Sequence, residues 1–142
     1  PRPIRADLED AVREFHWRAG TCESFQVETG RVEVFESSRV IYLSVQAGFE
    51  ALRELNRALN AGPFEFRDRY PFHPHVTLAQ DLPEERFGEA LELARRRWSG
   101  FRQARAFPVD RLTFVRNAPG RGWLDLAECR LPEGRPALTR TA

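Results

Sequence analysis

Residues 71–79 read PFHPHVTLA and hold two of the three histidines in this chain of 142 residues. The Val, Thr and Leu after the prolines favour extended backbone, and helix is disfavoured in a residue that precedes a proline. Side chains at positions i and i+2 of a strand point to the same face. The stretch therefore predicts a strand that presents His75 and Thr77 on one face and turns Val76 and Leu78 into a core.

Helical and strand periodicities alternate on both sides of this stretch. The predicted helices span residues 7–18, 49–60 and 81–98, the first capped by Asp7 and the last by Asp81. The other predicted strands span residues 24–35, 39–46, 107–116 and 122–130. Residues 24–35 form either one long strand or a hairpin at Thr29 and Gly30, and residues 39–46 are apolar enough for an interior strand. The closing hairpin and the half-polar strands favour antiparallel α+β packing over a parallel α/β sheet.

The composition is that of a globular protein. Hydrophobic residues make up 42% and charged residues 30% of the chain, and no stretch approaches the about 20 apolar residues of a membrane span. The two cysteines form no CxxC pair, as expected in a reducing compartment. We expect one cytoplasmic domain over residues 1–131, a flexible tail over residues 132–142, and no membrane partner.

The chemistry of the histidine strand admits three interpretations. In the first, His75 is a general acid or base, because an imidazole titrates near neutral pH, and Thr77 donates a hydrogen bond to a phosphate oxygen. In the second, His73 and His75 form an H-x-H metal pair, although the spacing indicates no third ligand. In the third, these are ordinary polar residues on a strand. The residue pattern alone leaves all three open.

Other candidate residues carry weaker signals. Tyr70 and Phe72 can stack on a nucleobase or pack in the core. Arg116, at a predicted strand end, can reach an anion or form a surface ion pair. His16 lies between two aromatic residues on a predicted helix and is interpreted as structural. The sequence contains no Gly-rich phosphate loop, nucleophile elbow or HExxH motif.

Residues 61–84, AGPFEFRDRYPFHPHVTLAQDLPE, resemble the second signature region of the 2H phosphoesterase superfamily, in particular its bacterial 2′-5′ RNA ligase-like branch. The neighbouring segments follow the order of that family. They are RVIYLSV and FEALRELNRALN before the signature, and RLTFVRN and GWLDLAECRL after it. The resemblance covers residues 25–131.

This resemblance implies a bilobal α+β fold in which two antiparallel sheets face a central cleft, with helices outside. Each lobe of the family contributes one HxT motif, whose histidines act as general base and general acid while the hydroxyls orient the phosphate. His75 would then be the acid–base residue and Thr77 the phosphate-orienting residue, with no metal or other cofactor. The implied activity is hydrolysis of 2′,3′-cyclic phosphates or of 2′-5′ linkages in RNA ends and small nucleotides.

The chain departs from the family pattern at two points. Gln80 stands where many members have a basic residue, which weakens charge neutralisation at the phosphate. The first HxT motif is missing, since His16 is followed by Trp17 and Arg18. The opening PRPIRADLEDAV resembles the turn and helix after that motif, so we expect an incomplete first lobe, no activity of this chain alone, and open strand edges that favour self-association.

These observations lead to three functional hypotheses. The first is a metal-independent phosphodiesterase, and the second is a degenerate module of the same fold that binds RNA or nucleotides without turnover. The third is a metalloprotein that uses His73 and His75. The predicted substrate-binding residues are His73, Tyr70, Phe72, Gln80 and Arg116.

Overall fold

The structure, a computed structural model, describes Ile4 and residues 6–133. Its elements are α1 (Leu8–Ala19), β1 (Phe25–Phe35), β2 (Val40–Ala47), α2 (Phe49–Leu59), a 3₁₀ turn (Gly62–Phe64), β3 (His75–Ala79), α3 (Glu84–Ser99), β4 (Ala106–Val109), β5 (Arg111–Ala118) and β6 (Gly122–Arg130). The chain divides into two compact units. The second unit comprises residues 26–53 and 72–107, and the other described residues form the first.

The first unit is built on α1 and the antiparallel hairpin of β5 and β6. Asp7 caps α1 as its position predicts, because its Oδ1 accepts a hydrogen bond of 2.9 Å from the backbone N–H of Asp10. The inward face of the helix buries Phe15, which stacks on Phe114 of β5 with the ring centroids 5.4 Å apart. Leu131, just after β6, completes this buried cluster.

The second unit carries most of a four-stranded sheet in the order β3-β2-β1-β4. β1 pairs with β2, and β2 with β3, in antiparallel register. The apolar strand β2 is interior, as predicted, and its Ile41 and Leu43 are buried. The antiparallel α+β class expected from the sequence is therefore confirmed, and β3 lies at an edge of the sheet.

Gly48 makes the tight connection from β2 to α2. Its φ is +82°, and a Cβ at this position would lie 2.4 Å from the backbone oxygen of Gln26. An L-amino acid with a side chain is strained in this conformation. The chain can therefore turn directly from the sheet into the helix only because this residue is glycine.

Gly48→Ala is expected to lower the free energy of unfolding by about 1–3 kcal/mol, through the disfavoured φ and the clash. Urea denaturation measures this change. The matched control is Gly88→Ala in α3, where a Cβ meets open space, so that alanine should stabilise the helix by about 0.5–1 kcal/mol. Equal stabilities of the two variants would contradict this account of Gly48.

The strand predicted over residues 107–116 is wrong, because the structure divides it into β4 and β5, which belong to different sheets. The break falls at Asp110, whose carbonyl accepts a hydrogen bond of 2.8 Å from the backbone N–H of Leu131. Pro108 also lacks the N–H that an uninterrupted ladder requires. Hydrophobic periodicity reveals neither the hydrogen bond at Asp110 nor the missing N–H of Pro108, because both are properties of the backbone.

The predicted cap of the third helix is also wrong. Pro83 occupies the N-cap without a side-chain hydrogen bond, and Asp81 lies two residues earlier in the left-handed region, with φ +55°. Proline disfavours helical backbone in the preceding residue, so the helix cannot extend back to Asp81. Residues 25–35 form one strand rather than a hairpin, with an irregular register between Thr29 and Val32.

None of the described helices is both long and apolar enough to cross a membrane. Most of the predicted tail, residues 134–142, lies outside the described residues. The single domain expected over residues 1–131 stays a prediction.

Candidate active site

The register between β3 and β2 places His75 and Thr77 on one face of the sheet. His75 pairs with Ser44, and Thr77 pairs with Tyr42. Residues directly opposite each other in an antiparallel pair share a face, so these four side chains form one surface. Tyr42 in turn pairs with Glu33 of β1, which extends this face to the third strand.

Aromatic rings surround the imidazoles on this face. The ring of His75 meets the ring of Phe35 edge-on at 5.0 Å and the ring of Tyr42 at 5.4 Å. Phe35 and Tyr42 stack on each other at 4.0 Å, and His73 contacts Phe35 at 5.2 Å and Phe49 at 5.3 Å. We call these five residues the imidazole cluster. Rigid rings on several sides restrict the rotation of the His75 imidazole.

A backbone contact sets the tautomer of His75. Its Nδ1 lies 2.7 Å from the carbonyl oxygen of His73. A carbonyl oxygen can only accept, so Nδ1 must carry the hydrogen that is donated. Nε2 is then the basic nitrogen of the neutral ring, and His75 is exposed. The residue can therefore take a proton at Nε2 from a group in solvent or return one to it.

A charged pair and a buried tyrosine support this face. The Tyr42 hydroxyl donates to Glu33 Oε2 at 3.2 Å, and Arg31 Nε donates to Glu33 Oε1 at 3.0 Å. The hydrogen bond from Arg31, opposed by partial burial and aided by Tyr42, holds the pKa of Glu33 below its usual range. Burial, and then the Glu33 carboxylate, raises the pKa of Tyr42. Near neutral pH, Tyr42 is thus a neutral donor and Glu33 a charged acceptor.

The other face of β3 does not enter a core, contrary to the sequence prediction. Val76 and Leu78 are 43% and 44% exposed. The alternation of side chains correctly places Val76 and Leu78 on the face opposite His75 and Thr77. It does not indicate whether another element covers that opposite face, because β3 is an edge strand.

The remaining predicted residues are dispersed. Phe72 is 42% exposed and precedes the cluster in the second unit, and exposed Gln80 directly follows β3. Tyr70, with the Arg69 guanidinium 5.4 Å from its ring centroid, and Arg116 on β5 belong to the first unit. Roles for these four residues in substrate binding stay predictions.

Sequence reasoning missed Tyr42, Phe35 and Glu33. One signal was available, since Tyr42 is a hydroxyl-bearing aromatic residue in an otherwise apolar interior strand. Pairing it with His75 required the strand register, which the sequence alone did not provide.

The geometry lends no support to a metal on His73 and His75. Their ring centroids are 6.4 Å apart, and His75 Nδ1 is already engaged by a carbonyl. Within residues 6–133, moreover, no three His, Cys, Asp or Glu side chains are grouped so that they could hold a metal ion.

The chain is similar in sequence to known proteins. Residues 1–121 match the model of the 2′-5′ RNA ligase superfamily. A curated Oceanobacillus iheyensis protein named "Putative phosphoesterase" is 33% identical over 85 residues, 59% of this chain and 49% of that protein. A protein of the same description from Bacillus cereus (strain G9842) is 29% identical over 117 residues, 82% of this chain and 65% of its own length. The chain thus spans about half to two thirds of these relatives.

Solved structures give the same fold. A crystal structure of E. coli LigT with 3′-AMP aligns with a TM-score of 0.56 and 21% identity, covering 90% of this chain and 71% of that chain. A second structure, described as a phosphoesterase, aligns with a TM-score of 0.52 and 22% identity, covering 92% and 72%. These likenesses confirm the fold predicted from the HPHVTLA resemblance. The family match over residues 1–121, more than half of the chain, leads to one conclusion: the chain belongs to the 2′-5′ RNA ligase superfamily.

Proposed function

We propose that this protein is a metal-independent phosphodiesterase acting on 2′,3′-cyclic phosphates or on 2′-5′ linkages in RNA ends and small nucleotides. The observation that carries the proposal is the hydrogen bond from His75 Nδ1 to the His73 carbonyl. It leaves Nε2 as the basic nitrogen of an exposed residue, and Thr77 lies two residues further along the same face of β3. The described relatives, named as phosphoesterases, support the same class of reaction.

His75 performs one of the two proton transfers that hydrolysis requires. Water attacks the phosphorus of the cyclic phosphate, the bond to one ribose oxygen breaks, and that oxygen leaves as a hydroxyl. Neutral Nε2 takes the proton of the attacking water, or protonated Nε2 gives a proton to the leaving oxygen. Thr77 donates a hydrogen bond to a non-bridging phosphate oxygen and so orients the phosphate. The remaining transfer needs a second acid–base group.

One observation favours a second candidate function. The sequence contains a single HxT triplet, at residues 75–77. With one HxT pair, His75 and Thr77, the chain can hold a phosphate without completing both proton transfers. The alternative is therefore a module that binds RNA ends or cyclic nucleotides without turnover.

Hydrolysis of 2′,3′-cyclic nucleotides in excess EDTA tests the proposal. Two proteins are compared, this chain and a longer form that includes the residues encoded upstream of it. We expect the longer form to turn over in EDTA and this chain to bind the nucleotide without turnover. Binding without turnover by both forms would support the binding module, and activity that EDTA abolishes would overturn the metal-independent mechanism.

A further inference from the structure

A groove of about 620 Å³ opens in the second unit beside the imidazole cluster. His73 and Phe49 line it together with Glu28, Gln46, Trp98 and Arg105. Its volume lies in the range of sites that hold small organic ligands, about 300–1,000 Å³. Because the His73 carbonyl holds His75, the groove adjoins the residue that we propose to transfer protons.

Hydrogen bonds to backbone carbonyls fix the walls of this groove. The carbonyl of Arg105 accepts from Thr29 through both the backbone N–H, at 2.9 Å, and Oγ1, at 3.1 Å. Trp98 Nε1 donates to the carbonyl of Gly30 at 2.7 Å. The last turn of α3 and the segment after it are thereby joined to β1, so the lining residues are positioned before any ligand binds.

Two opposite charges face the groove without neutralising each other. Glu28 is partly buried and has no hydrogen-bond or ion-pair partner among the described residues. Arg105 is also partly buried, with its guanidinium 4.5 Å from the Trp98 ring centroid. Its Nη2 donates to the carbonyls of Trp98, at 2.9 Å, and Phe101, at 3.5 Å, and it contacts no carboxylate in the described part of the chain. A carboxylate and a guanidinium that line one groove without pairing with a counter-charge can each form charge-assisted hydrogen bonds to a ligand.

The charge balance indicates what that ligand is. The two other charged residues of the groove, Arg31 and Glu33, pair with each other at 3.0 Å, so the four charges sum to zero. A phosphate group bound in this groove, in addition to the one at His75 and Thr77, would therefore gain little electrostatic attraction. An uncharged ligand with N–H donors for Glu28 and adjacent acceptors for Arg105 would satisfy both.

We propose that the groove is a base subsite selective for guanine. Guanine presents its N1–H and N2–H donors on one edge, which suits a carboxylate. Its O6 and N7 acceptors lie together on the next edge, where they can accept from the guanidinium nitrogens of Arg105 that do not donate to the carbonyls of Trp98 and Phe101. Adenine and uracil lack this combination. The inference rests on the proposed function in one respect: it specifies substrates in which a guanosine carries the phosphate that is cleaved.

Binding of free nucleosides tests the subsite independently of catalysis. Titration calorimetry of guanosine, adenosine, cytidine and uridine with this chain requires no phosphate and no proton transfer. We expect guanosine to bind at least about 10-fold more tightly than each of the others. Glu28→Gln should reduce guanosine affinity about 10-fold, because the amide replaces one acceptor oxygen with a donor.

A matched control and a second variant keep the test decisive. Glu50→Gln changes an exposed carboxylate of the same unit that pairs with Arg53 and does not line the groove, and it should leave guanosine affinity unchanged. Arg105→Gln should also weaken guanosine binding. Arg105 also donates a hydrogen bond to a carbonyl at the end of α3, so the midpoint of thermal unfolding of the Arg105→Gln variant is measured first. If that variant is unfolded, the conclusion rests on Glu28→Gln.

The outcomes separate the subsite from the proposed function. Equal affinity for the four nucleosides, or an unchanged affinity in Glu28→Gln, would overturn the guanine subsite. Hydrolysis of all 2′,3′-cyclic nucleotides at equal rates would overturn it too, while leaving the phosphodiesterase intact. Selective guanosine binding with no hydrolysis of any cyclic nucleotide would support the subsite and contradict the phosphodiesterase.

Discussion

His75→Ala is expected to lower kcat for 2′,3′-cyclic nucleotides by about 10²–10⁴-fold in a catalytically active form of the protein. The variant removes Nε2, the nitrogen we assign to one of the two proton transfers, while the backbone of β3 is retained. His75 is exposed, so little buried surface is lost and the protein should still fold. Steady-state hydrolysis kinetics, with circular dichroism as the check on folding, measure the effect.

His73→Ala is the matched control. It removes the neighbouring imidazole but keeps the carbonyl that accepts from His75 Nδ1. We expect a smaller loss of kcat than in His75→Ala, together with a change in KM, because His73 lines the groove. Equal losses of kcat in the two variants, or normal kcat in His75→Ala, would contradict the role given to Nε2.

Ile41→Ala is expected to lower the free energy of unfolding by about 2–5 kcal/mol. Ile41 lies on the interior strand β2, and its side chain is fully excluded from solvent. Truncation loses the transfer energy of the buried methyl and methylene groups and leaves a cavity that the sheet cannot fill. Urea denaturation with an unchanged m-value measures the loss.

Two variants control this measurement. Ile41→Val deletes one methylene and should cost about 0.5–1.5 kcal/mol. Val76→Ala, on the edge strand of the same sheet, should cost less than Ile41→Ala, because Val76 is already 43% exposed. A loss for Val76→Ala as large as that for Ile41→Ala would mean that β3 is covered in solution.

The sequence predicted those features that depend on neighbours along the chain. The Asp7 cap, the strand from His75 and the interior position of β2 follow from local residue types and periodicity, and the structure confirms them. The closing hairpin and the half-polar strands favour the α+β class, the family resemblance implies it as well, and the likeness to solved structures confirms it.

The features that the sequence did not predict depend on relations between strands. Tyr42 meets His75 only through the register of β2 with β3, and the exposure of Val76 follows from the edge position of β3. That Glu28 and Arg105 form no ion pair within the described part of the chain could be known only from side-chain positions. In each case the deciding quantity is a distance between segments far apart in the chain.

The order of residues in His-Pro-His has a stereochemical consequence. Pro74 is buried, and its ring confines His73 to extended backbone angles. That restriction directs the His73 carbonyl, which in turn selects the nitrogen that His75 offers to solvent. Part of the entropic cost of positioning this carbonyl is therefore met before folding, because His73 samples fewer backbone conformations in the unfolded chain, and the rings of Phe35 and Tyr42 then restrict the imidazole in the folded chain. Pro74 thus helps to determine which ring nitrogen of His75 carries the proton.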